Sequence, residues 1–104
     1  MYKNKEVEME NHKSKFVMIS QSLVRHKSLT HRDKIVYMSL CLFTDNISKQ
    51  SYPSAQTVAE IASISRSSVF RALKSLEAEG YIRREQRTFG DGKQTTNVYY
   101  LLDK

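Results

Sequence analysis

"SRSSVFRALKSLEAEGYIRRE", residues 65–85, is the stretch whose reading decides the fold. Val69, Ala72, Leu73 and Leu76 recur at i, i+3, i+4 and i+7, the spacing that lines up one face of an α-helix. Ser65 supplies the side-chain oxygen an N-cap needs, and Gly80 stands where a C′ residue with positive φ is wanted. The stretch therefore predicts a helix from Ser65 to Glu79, followed at once by a basic, strand-forming run. On a wheel of 100° per residue centred on Val69, Leu73 and Leu76 fall within about 40° of the centre. Ser67, Arg71, Lys74 and Ala78 then point away, with Ser68, Phe70 and Ser75 on the flanks. Glu77 and Glu79 come at the far end of the helix. Burying the aliphatic seam leaves hydroxyls and cations on a face that the core does not need.

Immediately upstream, "SYPSAQTVAEIASIS" (51–65) reads as a second, shorter helix. Pro53 stops the preceding segment, Ser54 is a good N-cap, and Val58, Ile61 and Ala62 mark an amphipathic stripe. Only "SIS" (63–65) separates the two helices, the arrangement of a helix-turn-helix. Ala59 is small where the helices cross, Ile64 plugs the turn, and Ser63 occupies the position where glycine is commonest. A serine held at positive φ costs about 1 kcal/mol, which such a turn tolerates.

Farther back, "LTHRDKIVYMSLCLFTDN" (29–46) starts a helix at Thr30, with Asp33 three residues on as a weaker form of the capping box. Ile35, Val36, Met38, Leu40, Leu42 and Phe43 cover more than one stripe, which predicts the most buried helix. Cys41 within it reads as a small core residue. "FVMISQSLV" (16–24) reads as a short strand or extended lead-in. After Gly80, "YIRREQR" (81–87) and "QTTNVYYLL" (94–102) are rich in strand formers and flank "TFGDGK", predicting a β-hairpin. Residues 1–14 alternate Lys, Glu and Asn and read as a flexible tail, which leaves 15–104 as a single domain.

Seventeen Lys and Arg against eleven Asp and Glu give the chain a formal charge of +6. An excess of that size on 104 residues favours a polyanionic partner. No run of residues approaches the ~18 apolar residues of a membrane span, and no secretory signal opens the chain, so a cytoplasmic location and no membrane partner are expected. One cysteine precludes an internal disulfide. There is no phosphate-cradling GxxxxGK[ST] loop, and His12, His26 and His31 lack metal-ligand spacing. His26 and His31 read as surface residues. No nucleophile has a base nearby in any motif, so no enzyme activity, cofactor or metal is expected.

A major groove admits one helix and is read mainly through its N-terminal side chains. Arg66, Ser67, Ser68, Phe70, Arg71 and Lys74 are accordingly the expected contacts of the helix, the short hydroxyls allowing close approach. Ser54, Gln56 and Thr57 at the preceding helix start are expected to offer backbone N–H groups to a phosphate. In the hairpin, Arg83, Arg84, Arg87 and Lys93 supply cations for the backbone or minor groove. Phe89 at the tip is free by sequence to stack, wedge or fold back. A competing reading, single-strand or RNA binding, would use Phe70, Phe89 or Tyr81 as stacking platforms.

Residues 16–102 resemble the winged helix-turn-helix domains of plasmid and phage replication and mobilisation proteins. The resemblance rests on the proline–serine helix start in "SYPSAQTVAEIASISRSSVFRALKSLEAEGYIRR", its Ser-Arg-x-x-Val-x-Arg-Ala helix, and the Asn-x-Tyr of "TTNVYYL". It implies a mainly helical α+β fold: three helices plus a C-terminal hairpin wing, with a short N-terminal strand as an option. It implies sequence-specific binding of double-stranded DNA in replication initiation, plasmid transfer or transcription control, with helix 65–79 in the major groove and wing 81–101 beside it. Asn97 and Tyr99 are implied to tie the last strand to the core. The alternative is a protein-interaction winged helix in a replication or transfer complex. A homodimer on two half-sites and other replication or transfer proteins are the further partners this family suggests.

Overall fold

Each described helix starts on a hydroxyl. Ser20, Thr30, Ser54 and Ser65 hold extended backbone and accept a hydrogen bond from the amides of Leu23, Asp33, Thr57 and Ser68 respectively. Caps of this kind contribute about 1 kcal/mol each and fix where a helix begins. A computed structural model describes residues 17–44, 49–51, 53–89 and 94–102; the sequence-predicted tail, 1–14, lies outside them. In chain order the elements are α1 (Gln21–Arg25), α2 (His31–Cys41), β1 (Gln50–Ser51), α3 (Ala55–Ala62), α4 (Arg66–Ala78), β2 (Ile82–Phe89) and β3 (Gln94–Leu101).

The lead-in is therefore a short helix, not a strand. Ser20 caps it, and Leu23 at its centre is fully buried, so one helical turn delivers an apolar anchor that an extended segment would have aimed elsewhere. The third strand comes instead from Gln50–Ser51. β1 pairs antiparallel with β3 (Gln50 opposite Tyr100, Ser51 opposite Tyr99), giving the order β1-β3-β2. The hairpin runs in unbroken antiparallel register from Ile82 opposite Leu101 to Phe89 opposite Gln94. Ser51 is buried, and its hydroxyl donates to the Leu40 carbonyl at 2.9 Å, as does Thr44 Oγ1. The same carbonyl, at the C-terminus of α2, also accepts from the Phe43 amide at 3.0 Å, and the Ser51 bond docks the strand to the helix.

The core gathers Leu23, Leu29, Val36 and Leu40 with Val58 and Ala59 of α3, the α4 seam Val69, Ala72, Leu73 and Leu76, Tyr81 just before β2, and Ile82, Tyr99 and Leu101 of the sheet. α2 has the largest buried share of the described helices, five of eleven residues against five of thirteen in α4, as expected, but not through the expected residues. Val36 and Leu40 are buried, but Ile35, Leu42 and Phe43 are exposed, while Tyr37, Ser39 and Asp33 are buried. The helix packs against α3 and α4 on one side, so its second apolar stripe has no partner among the described residues. Asp33 tolerates burial because it closes a capping box with Thr30, each side chain accepting from the other's amide at 3.2 and 3.0 Å.

The turn between α3 and α4 is tight. Ser63 adopts φ 61°, ψ 43°, the left-handed region, and Ile64 packs partly buried against the core. At the other end of α4, Gly80 takes φ 83°. The Tyr81 amide donates to the Leu76 carbonyl at 2.9 Å and the Gly80 amide to Glu77 at 3.1 Å, a Schellman closure that sends the chain straight into β2. The helix and the hairpin are thereby held side by side.

Candidate nucleic-acid interface

Burial of Val69, Ala72, Leu73 and Leu76 turns the opposite face of α4 to solvent, and Arg66, Ser67, Arg71 and Lys74 are exposed on it. Phe70 retains 43% of its surface on the flank. Arg66, Arg71 and Lys74 form no ion pair among the described residues. Three cations thus lie along one helix with no carboxylate partner among the described residues, and exposed cations of that kind attract polyanions.

Ser68 departs from its expected place. It is buried, with 8% exposure, its amide donating to Ser65 Oγ at 3.1 Å and its hydroxyl accepting from Ser65 Oγ at 3.0 Å. As the third residue after the cap it belongs to the capping arrangement, so it supports the helix start and does not face outward. The Ser-x-x-Ser spacing carried that signal.

At the start of α3, Ser54 and Gln56 are exposed and Thr57 is half-buried. The Thr57 amide donates to Ser54 Oγ at 3.1 Å, and the Ser54 hydroxyl donates to Thr57 Oγ1 at 3.0 Å. The Thr57 N–H expected to meet a phosphate is therefore already satisfied. Gln56 Nε2 donates to Glu60 Oε2 at 3.0 Å.

Strand alternation divides the wing cations between two faces. Arg84 sits on the α4 side, opposite Tyr99, and donates from Nη2 to Glu77 Oε1 at 3.3 Å. Arg83, Glu85 and Arg87 lie on the other side around Tyr100. The Arg83 guanidinium stacks 4.2 Å above the Tyr100 ring. Tyr100 donates to Glu85 at 2.9 Å, and Arg87 hydrogen-bonds the Tyr100 hydroxyl. Arg84 and Arg87 thus lie on opposite faces of the wing. Lys93 lies outside the described residues, as does the side chain of Phe89. Between α4 and β2 runs an open groove of about 490 Å³ lined by Lys74, Ser75, Glu77, Ala78 and Arg84.

The strand beneath this groove is anchored by Tyr99. Burial pushes its phenol above the ordinary value; a hydrogen bond with the Asn97 side chain and the charge of Arg84 oppose that shift. Tyr99 is thus buried in the core, as the resemblance implies, with Asn97 half-buried beside it. Tyr81 is buried and surrounded by His26, Tyr37 and the Ser22 hydroxyl, with ring centroids 5.7 Å from His26 and 6.2 Å from Tyr37. It offers no stacking platform. His26, expected at the surface, is half-buried against that ring, with Nε2 3.2 Å from Glu79 Oε1 at the C-terminal end of α4. It links α1 to that end. A lone histidine in a polar stretch carried no sequence signal of this contact.

No described helix is long and apolar enough to cross a membrane. No curated protein matches the chain. Among solved structures it is similar to "N-Terminal domain of DNA binding protein" (TM-score 0.63, 23% identity, covering 99% of this chain and 83% of that one). It is similar also to the protein of "Structure of Rep-DNA complex" (TM-score 0.62, 23% identity, 99% and 84% covered). A third neighbour is a "possible transcriptional regulator" from Methanosarcina mazei Go1 (TM-score 0.57, 18% identity, 88% and 78% covered). These likenesses establish the fold. A family model described as a helix-turn-helix domain matches residues 27–82, more than half of the chain, from the loop before α2 through α3 and α4 into β2. The chain belongs to the helix-turn-helix domain family.

Proposed function

We propose that this domain binds double-stranded DNA, with α4 in the major groove and the β2–β3 wing against the adjacent backbone or minor groove. The observation that carries the reading is the outer face of α4. Arg66, Arg71 and Lys74 stand exposed there, without carboxylate partners among the described residues, on a helix whose other face is fully committed to the core. Arginine and lysine side chains on such a helix reach base edges and phosphates, and the exposed hydroxyl of Ser67 permits close approach. A DNA-binding protein and a Rep–DNA complex among the structural neighbours support the same ligand. The role is non-enzymatic, in replication initiation, transfer or transcription control of a mobile element, and a homodimer on two half-sites is the assembly we favour.

Fluorescence titration against random duplex at low salt, followed by footprinting on DNA flanking the coding region, tests the reading. Binding with a protected site is the expected outcome; no binding at micromolar protein overturns it in favour of a protein-interaction domain. Arg71→Ala should cost about 1–3 kcal/mol and relax sequence preference. Unchanged affinity and preference would remove Arg71 from the interface. Tighter binding to unpaired strands would point instead to a single-strand or RNA ligand.

A further inference from the structure

The groove between α4 and β2 holds a feature that duplex binding by itself does not explain: a carboxylate in front of a wing arginine. Glu77 is on the groove wall, and its Oε1 accepts from Arg84 Nη2 at 3.3 Å. Both side chains are partly open to solvent, at 38% and 36% exposure. Lys74 lines the same groove and has no carboxylate partner among the described residues. Two cations converging on an open trough beside the groove-facing helix suit a phosphodiester, whose oxygens accept from a guanidinium in the same geometry as a carboxylate.

Resting on the duplex-binding reading, we propose that Glu77 is a built-in competitor for the DNA backbone: it occupies on Arg84 the position a phosphate takes in the complex. A solvent-exposed pair of this kind contributes little stability, so opening it costs little. Its consequence lies in the backbone contribution to binding. When a phosphate enters the groove, Arg84 exchanges its carboxylate for the phosphate, and Glu77 remains nearby as a like charge. Each complex in which Arg84 meets a phosphate is weakened, attachment to random duplex included. Glu77 is thus a residue that lowers backbone-driven affinity.

Glu77→Gln keeps the side-chain shape and removes the charge. Titrated against random duplex over a salt series, it should bind about three- to tenfold tighter than the unsubstituted chain, with a log–log salt slope steeper by about one. Adding Arg84→Ala should abolish that gain. Glu79→Gln, which changes net charge identically but at the carboxylate beside His26, is the control and should produce less than half the effect. Binding of the unsubstituted chain with no gain in Glu77→Gln, a loss in that variant, or an equal gain in Glu79→Gln overturns the inference and leaves the duplex reading standing. Failure of the unsubstituted chain to bind any duplex overturns both. Circular dichroism melts verify that each variant is folded.

Discussion

Ser63 and Cys41 show what single positions contribute. Ser63 carries positive φ in the turn between α3 and α4, where only the geometry of the crossing requires it; the polar, exposed side chain accepts the strain. Cys41 sits at the last turn of α2, and burial pushes its thiol up to about 11, with the charge of Lys49 pulling in the other direction. Burial wins, so the thiolate is scarce at neutral pH. Alkylation of the native protein by iodoacetamide should be slow at pH 8 and accelerate continuously toward pH 11, which mass spectrometry of the labelled chain measures. The same shift predicts the sign of a stability effect. Its folded value is the higher one, so its contribution is full below the ordinary thiol value near 9.0 and is lost as pH rises toward 11. Ser68 teaches the limit of position-by-position reading. A wheel places it on the open flank of α4, whereas the Ser65 hydroxyl captures it.

At the scale of elements, α4 and the wing are coupled through the closure at Gly80. A β-carbon at φ 83° is disfavoured, so Gly80→Ala should lower stability by about 1–2 kcal/mol, visible as a depressed melting midpoint, and should loosen the placement of β2 against α4. The wing is expected to position and not to read. Replacing Arg87 and Lys93 together by alanine should weaken binding to all duplexes alike; a loss confined to one sequence would make the wing a base reader. The starts of α2, α3 and α4 were legible beforehand because caps depend on neighbours within four residues. The lead-in was not: "FVMISQSLV" has strand-like composition, and the cap at Ser20 together with the burial of Leu23 in the core made it helical. Nor was β1 legible, since two residues of polar sequence become a strand only when β3 and the Leu40 carbonyl are there to pair with them.

For the whole molecule, charge is the controlling quantity. A net +6 on this chain, with the α4 cations in no ion pair among the described residues, predicts a strongly salt-dependent interaction. If about six phosphates are contacted, log affinity should fall against log salt with a slope of about −5, measured by anisotropy titrations over a salt series. A slope near zero would rule out a backbone-dominated complex. The helix-turn-helix, its buried seam and the outward cations follow from the sequence alone, because periodicity, caps and glycine act within a few residues of chain. Which cations are available was decided only by the tertiary structure. Arg84 meets Glu77, Arg87 meets Tyr100 and Glu85, and Tyr81 disappears into the core because segments distant along the chain are brought within hydrogen-bond reach. Charge pairing across elements depends on distances of a few ångströms that no local pattern encodes.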